Sequence, residues 1–178
     1  MCAGFTMFGG STYRHAWLVP GWQTRGYMEC AVTDATGSPI EEVSVLETWS
    51  RLASDPKATL VDVRTMAEWA FVGVPDLSKL GKPLLRVEWQ GFPDNRANAA
   101  FVPHLVEQLT RNGIGQDDEI LFICRSGGRS LMAARAMAAA GYSRCRNVTH
   151  GFEGPLDPER HRGRLEGWKA RGLAWSQG

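Results

Sequence analysis

A single strand, loop and helix unit restricts the possible folds of this chain more than any other segment. Four apolar residues at 120–123 lead into Cys124, a loop of small and basic residues at 125–130, and the alanine-rich stretch 130–142. A short apolar run that ends at a glycine-rich turn is typical of a fully buried strand, and a stretch that is apolar nearly all round is typical of a buried helix. The sequence therefore predicts a buried strand followed by a buried helix, with the cysteine at their junction.

Strand-like and helix-like segments alternate along most of the chain. Ser44 with Glu47, and Thr65 with Glu68, have capping-box spacing and predict two helix starts. The predicted strands are 58–63, 83–89, 118–124 and 145–150, and the longer predicted helices are 44–54, 98–113 and 130–142. This alternation predicts one α/β domain, residues 40–176, with a central parallel sheet covered on both faces. Functional groups in such sheets collect beyond the carboxyl ends of the strands, which is where the cysteine falls.

Composition and charge argue against several classes of partner. Lys and Arg number 20 against 19 acidic residues, for a net charge of +1, so no global charge favours nucleic acid or an anionic membrane. No apolar run approaches the roughly 20 residues needed to cross a bilayer, and the N-terminus lacks the pattern of a secretion signal. We therefore expect a cytoplasmic protein that binds neither nucleic acid nor membrane.

The N-terminal segment is predicted to be a tail. Residues 1–39 show neither helical nor strand periodicity and mix Gly, Ser and Thr with isolated aromatic residues. An alternative is that translation starts at Met28, in which case residues 1–27 do not belong to the native protein. Detection of a tryptic peptide from residues 1–14 in the natively expressed protein would exclude that start.

The cysteine pattern predicts neither a disulfide framework nor a metal site. The four cysteines, Cys2, Cys30, Cys124 and Cys145, form no C-x-x-C pair, and four in a chain of this length are too few for a disulfide scaffold. Cys145 falls on a predicted strand and is expected to pack in the core. No metal and no cofactor are expected.

The loop after Cys124 predicts a site for negative charge. Ser126, Gly127 and Gly128 have little side-chain bulk, so their amides can curl around an anion or around sulfur. A helix starting near Arg129 or Ser130 would direct its free N–H groups at the same point. Together with the guanidinium groups of the loop, these dipoles should favour the cysteine thiolate, which is the form that attacks electrophilic sulfur.

Local charge adds to this expectation. No Asp or Glu occurs from Ile120 through Phe152, while that span holds Arg125, Arg129, Arg135, Arg144 and Arg146. The interpretation is a cationic patch around the cysteine that favours a small anionic substrate. The alternative is that the last three arginines are solvated and unconnected with the site.

Three motifs in order resemble those of the single-domain rhodaneses, the thiosulfate sulfurtransferases. They are CRSGGRS at 124–130, LVDVRTMAEW at 60–69 and NVTHGFEG at 147–154. The resemblance implies a three-layer rhodanese sandwich with a central parallel sheet. One departure is Val74, which stands where many relatives carry a histidine.

The resemblance also implies a set of roles. Cys124 would carry a persulfide, and the loop Arg125, Ser126, Gly127, Gly128, Arg129 and Ser130 would bind substrate and stabilise the sulfur. Asp62 and Arg64 would support the loop. Asp62 is expected to bind a loop arginine such as Arg129. For Asp62 and Arg64 together, purely structural pairing is favoured over direct contact with substrate.

Three functions remain open on these residues. The first is transfer of a sulfane sulfur from thiosulfate or a persulfide donor to cyanide or a thiol. The second is a sulfur-relay or regulatory module that acts on a partner protein, which would then be the sulfur acceptor. The third is a phosphatase or arsenate reductase of the same architecture; those relatives use a Cys-x5-Arg loop, whereas this chain has the shorter Cys-x4-Arg.

Overall fold

The computed structural model describes residues 39–178. The predicted tail apart from Pro39, the alternative start at Met28, and the cysteines Cys2 and Cys30 lie outside the described residues. Among residues 39–178, no helix has the length and apolar character required to cross a membrane.

A five-stranded parallel sheet forms the centre of the domain. Its strands, in chain order, are β1 (Glu41–Val43), β2 (Thr59–Asp62), β4 (Leu85–Arg86), β5 (Ile120–Ile123) and β6 (Cys145–Val148), whereas β3 (Val74–Pro75) belongs to a second, small sheet. The order of the five strands across the sheet is β1-β6-β5-β2-β4. Strand β5 lies in the middle of the sheet, and all four of its residues are buried. The predicted α/β class with a central parallel sheet is therefore confirmed.

The helices follow the sequence signals that predicted them. They are α1 (Val45–Ser54), α2 (Met66–Val72), α3 (Phe101–Arg111) and α4 (Gly128–Ala139). Ser44 caps α1, its side chain accepting a hydrogen bond from the Glu47 N–H, and Thr65 with Glu68 completes a capping box at α2. The glycine-rich loop lets α4 begin at Gly128, one or two residues before the predicted start.

Two hydrophobic cores cover the two faces of the sheet. On one face, α3 and α4 pack through residues such as Leu105 and Met137 against β5 side chains that include Phe122. On the other face, α1 and the C-terminal segment pack against Leu121 and its neighbours. Because β5 side chains alternate between the faces, the face that holds Phe122 also holds Cys124.

The C-terminal segment closes over the second face. Trp168 is fully buried, and its ring contacts Trp49 of α1 edge to face. Strand β7 (Trp175–Ser176) pairs antiparallel with β3 (Val74–Pro75). Val74, which stands where many relatives carry a histidine, therefore pairs with Ser176 in this small sheet.

Candidate active site

The candidate nucleophile lies at the carboxyl end of the central strand. Cys124 follows β5 directly, and its side chain is 1% exposed. The loop that follows turns into α4 after three residues, so the N-terminus of a twelve-residue helix faces the sulfur from nearby. The first turn of a helix has N–H groups without intrahelical partners, and its dipole favours negative charge.

Two donors reach the Cys124 sulfur. The Gly127 N–H and the Ser130 hydroxyl each lie 3.2 Å from Sγ. Gly127 has a φ of 108°, a left-handed conformation that glycine adopts without strain and that turns this N–H back toward the sulfur. Hydrogen bonds of this kind are stronger when the acceptor is charged, so the arrangement favours a sulfur that bears negative charge.

The Ser130 hydroxyl has three neighbours that can accept its single hydrogen. Besides Sγ, they are the Gly127 carbonyl at 3.0 Å and Asn147 Oδ1 at 2.7 Å. Asn147 is buried on β6. Its side chain was not predicted as a site residue, although it is the first residue of the NVTHGFEG motif. Because Asn147 Oδ1 and Cys124 Sγ are both within reach of the Ser130 hydroxyl, this hydroxyl can turn from the asparagine to the sulfur when negative charge develops on the sulfur.

An ion pair with α2 holds the start of α4. Arg129 donates from Nη1 and Nη2 to the two carboxylate oxygens of Glu68, at 2.7 and 2.6 Å. The Thr65 N–H and hydroxyl also donate to Glu68, at 2.9 and 3.0 Å. Burial alone would raise the pKa of Glu68, but the hydrogen bonds from Arg129 and Thr65 outweigh it and lower that pKa to about 2. The side-chain hydrogen bond to Glu68 likewise raises the pKa of Arg129.

The expected pairing of Asp62 with Arg129 is wrong. Asp62 instead binds Arg64, two residues along the chain, through Nε at 3.0 Å and Nη2 at 2.5 Å, and both side chains are fully buried. The Arg64 guanidinium also donates to the Gly73 carbonyl and lies 4.1 Å from the centre of the Phe152 ring. The partner of Asp62 in the structure is thus Arg64.

The turn after β6 anchors the backbone of residues 124–130, which we call the active loop. The Phe152 N–H donates to the Cys124 carbonyl at 2.8 Å, and the Glu153 N–H donates to the Arg125 carbonyl at 2.9 Å. Gly151 makes this approach possible, because a Cβ at that position would collide with the Cys124 carbonyl oxygen. The NVTHGFEG motif therefore contacts the CRSGGRS motif through backbone hydrogen bonds.

The predicted cationic patch is smaller than the sequence indicated. Arg144 and Arg146 lie within 3.6 and 3.4 Å of Glu119, which precedes β5, whereas Cys124 follows β5. The two ends of this strand are roughly 13–17 Å apart at about 3.3 Å per residue. Arg144 and Arg146 are therefore at the opposite edge of the sheet from the cysteine.

Arg125 faces an open cleft beside the loop. Its side chain is exposed and makes no hydrogen bond or ion pair with other residues in the described part of the chain. Arg125 and Arg129 line the cleft, which has a volume of about 750 Å³. Ser126 and Gly128 of the same loop are also exposed.

The three sequence motifs thus meet at one edge of the sheet, and comparison with known proteins assigns the arrangement to a family. Residues 44–155 match the family described as the rhodanese-like domain. The chain belongs to the rhodanese-like family. The predicted resemblance is confirmed, and the fold is the rhodanese fold.

Individual relatives cover most of the chain. An uncharacterized protein of Rickettsia rickettsii is 34% identical over 136 residues, which span 76% of this chain and 97% of the relative. The crystal structure of Rv0390 from Mycobacterium tuberculosis has a TM-score of 0.69 and 46% identity, covering 78% of this chain and 98% of that one. A protein of Allochromatium vinosum described as a sulfurtransferase is 27% identical over 113 residues, covering 64% of this chain and 85% of the relative. Sulfurtransferase chemistry is therefore represented among the rhodanese-like relatives of this chain.

Proposed function

We propose that this rhodanese-like protein is a sulfurtransferase that moves a sulfane sulfur through a persulfide on Cys124. The observation that carries the proposal is the pair of donors, the Gly127 N–H and the Ser130 hydroxyl, that both lie 3.2 Å from the Cys124 sulfur. Hydrogen bonds are stronger when the acceptor is charged, so two donors at a helix N-terminus stabilise a thiolate or a persulfide anion more than a neutral thiol.

In the first half of the reaction, thiosulfate is the proposed donor. The Cys124 thiolate attacks the outer sulfur of thiosulfate, the sulfur–sulfur bond of the donor breaks, and sulfite leaves with the electron pair. The exposed Arg125 guanidinium is placed at the cleft to attract the dianion. A persulfide donor would react at its outer sulfur in the same way.

In the second half, a thiophilic acceptor takes the sulfur. Cyanide or a thiolate attacks the outer sulfur of the persulfide, and the Cys124 thiolate leaves with the electron pair. The loop serves both halves, because free N–H groups at the start of α4 can stabilise charge on either sulfur. Ser126 and Gly128 contribute backbone N–H groups to this loop, and Ser130 contributes its hydroxyl.

The remaining predicted residues would act on the loop indirectly. Arg64, held by Asp62, packs on the Phe152 ring, and the Phe152 N–H binds the Cys124 carbonyl. These contacts link Asp62 and Arg64 to the backbone of Cys124 and would hold the nucleophile in position. We propose that Asp62 and Arg64 are positioning residues and do not touch substrate.

A phosphatase or arsenate reductase activity is less well supported. Both terminal nitrogens of Arg129 are bound to Glu68, so this arginine is not free to bind the oxygens of a tetrahedral oxyanion. The Cys-x4-Arg loop is also one residue shorter than the Cys-x5-Arg loop of those relatives. Turnover of an aryl phosphate would contradict this reasoning.

The proposed function is tested by thiosulfate-to-cyanide transfer with purified protein. We expect thiocyanate formation by the wild type, none by Cys124→Ser, and activity comparable to the wild type for Cys145→Ser, the matched control at the other described cysteine. Activity that persists in Cys124→Ser would contradict the proposal. A cytoplasmic location is part of the proposal and is tested by cell fractionation.

A further inference from the structure

The cleft beside the active loop has an aromatic rim that the proposed inorganic substrates do not need. Phe71, on α2, and Phe92, in the loop after β4, both line the cleft and are 79% and 72% exposed. Large apolar side chains that stand exposed together at a site usually mark a surface that a partner covers. We use the name aromatic rim for Phe71, Phe92 and the adjacent Val72, which also lines the cleft.

The size of the cleft leads to the same conclusion. Its volume is about 750 Å³, within the range of about 300–1,000 Å³ that suits organic ligands with many atoms. Thiosulfate and cyanide consist of only a few atoms and would leave most of this space and the whole aromatic rim uncovered. The extra room therefore suits a sulfur donor or acceptor larger than these ions.

The charge of the cleft is positive. Arg125 has no side-chain partner among residues 39–178, and Arg162 donates only to the Gly154 carbonyl. Arg129 is neutralised by Glu68. Glu153 also faces the cleft, but Lys169 lies close enough to interact with it electrostatically. The excess charge favours acidic groups on whatever occupies the cleft.

We propose that the cleft binds a protein acceptor that presents a cysteine next to an apolar side chain and acidic residues. The inference rests on the proposed function and specifies its second half. Exposed aromatic residues next to arginines are the composition of energetically dominant protein interfaces. The side chains of Gln90 and Asn95, which also line the cleft, can bind the backbone of an extended segment.

The transfer step balances without an added oxidant or reductant. The acceptor cysteine thiolate attacks the outer sulfur of the Cys124 persulfide, a new sulfur–sulfur bond forms on the acceptor, and the old one breaks. The electron pair of the broken bond leaves on Cys124, which returns as a thiolate. The acceptor protein then carries the persulfide.

Synthetic peptides test the proposal on the full chain. The protein is loaded with thiosulfate, excess donor is removed, and loss of the persulfide is followed by mass spectrometry with four acceptors. These are a cysteine peptide flanked by Phe, Leu and Glu, its analogue with Lys for Glu, its analogue with Gly for Phe and Leu, and glutathione. We expect the first peptide to accept sulfur at least about tenfold faster than the other three.

Variants of the rim provide the matched controls. Phe71→Ala and Phe92→Ala should each slow transfer to the first peptide about tenfold, whereas Met66→Ala should not, because Met66 is exposed on the same helix but does not line the cleft. Arg162→Gln should reduce the preference for Glu over Lys peptides, and Arg160→Gln, outside the cleft, should retain it.

Three outcomes would overturn the inference. Equal rates with all four acceptors, faster transfer to glutathione than to the first peptide, or an equal effect of Met66→Ala and Phe71→Ala would each contradict protein docking at the aromatic rim. Failure of the protein to form a persulfide would instead contradict the proposed function, so the two failures are distinguishable.

Discussion

Arg129 and Glu68 form a bidentate ion pair across 61 positions of sequence, with N–O distances of 2.6 and 2.7 Å. The pair joins the first turn of α4, next to the cysteine loop, to the first turn of α2. Because the same carboxylate also completes the capping box with Thr65, one side chain binds both the start of α2 and the start of α4. Glu68 is therefore a direct contact between α2 and the residues that follow Cys124.

Loss of this pair should slow sulfur loading. We expect Glu68→Gln to reduce kcat/KM for thiosulfate by about tenfold to a hundredfold, because displacement of a catalytic loop by even about 1 Å can cost a hundredfold. The conservative change Arg129→Lys, which keeps the charge but loses the bidentate geometry, should give a similar loss. Steady-state kinetics would contradict the role of Glu68 if both variants kept the wild-type value. Glu107→Gln, which breaks an exposed pair with Arg111, is the matched control.

The same pair should make stability depend on acid pH. The pKa of Glu68 in the folded protein is lowered from its ordinary value of 4.5 to about 2. The ionised group therefore stabilises the fold above its ordinary pKa, and this contribution is lost as the pH falls from about 4.5 through about 2. It amounts to at most about 3 kcal/mol. Urea unfolding should show the difference between wild type and Glu68→Gln narrowing as the pH falls below about 4.5; a constant difference would show that Glu68 does not titrate as described.

The Ser130 hydroxyl should increase the reactivity of Cys124. A hydrogen bond to a charged group contributes about 1.5–3 kcal/mol, so Ser130→Ala should slow alkylation of Cys124 by iodoacetamide at neutral pH by about tenfold or more. Ser143 lies in the turn after α4, and its hydroxyl donates to the Gln116 carbonyl and the Asp117 carboxylate before β5. Ser143→Ala removes that hydroxyl and should react like the wild type. Equal alkylation rates in the two variants would show that the Ser130 hydroxyl does not activate Cys124.

The buried pair of Asp62 and Arg64 should contribute to stability. Asp62→Asn leaves the Arg64 charge buried with no carboxylate, and we expect the free energy of unfolding to fall by about 3–5 kcal/mol. Asp94→Asn breaks a pair with Arg96 in which the two side chains are 53% and 87% exposed, and it should cost at most about 1 kcal/mol. Urea unfolding of the two variants compares a buried pair with an exposed one, and similar losses would contradict the structural role of Asp62.

The parts of the site that are contiguous in sequence could be predicted. Cys124 and the loop to Ser130 form one βα junction, so strand burial, glycine content and helix onset all point to the same residues. The capping box of Thr65 and Glu68 was also predictable, because it is local. Its second function, binding Arg129, depends on which strands are neighbours, and the alternation of elements does not specify their order in the sheet.

Errors arose where charge was assigned without strand direction. Arg144 and Arg146 are close to Cys124 in sequence, but they lie before and at the start of β6, and parallel strands place both starts at the opposite edge from the cysteine. Asp62 was predicted to bind Arg129, but Arg64, two residues further along the chain, binds both oxygens of the Asp62 carboxylate. Asn147 was missed because an asparagine on a buried strand is recognisable as functional only once its neighbour Ser130 is known.

Persulfide formation on Cys124 can be measured directly by mass spectrometry. The purified full chain is treated with thiosulfate, desalted and analysed by intact-mass and peptide mass spectrometry. We expect a gain of one sulfur atom on the peptide that contains Cys124, absent in Cys124→Ser and retained in Cys145→Ser. A folded wild-type protein that gains no sulfur from thiosulfate or from a persulfide donor, or gains it on another cysteine, would rule out sulfur transfer through a Cys124 persulfide.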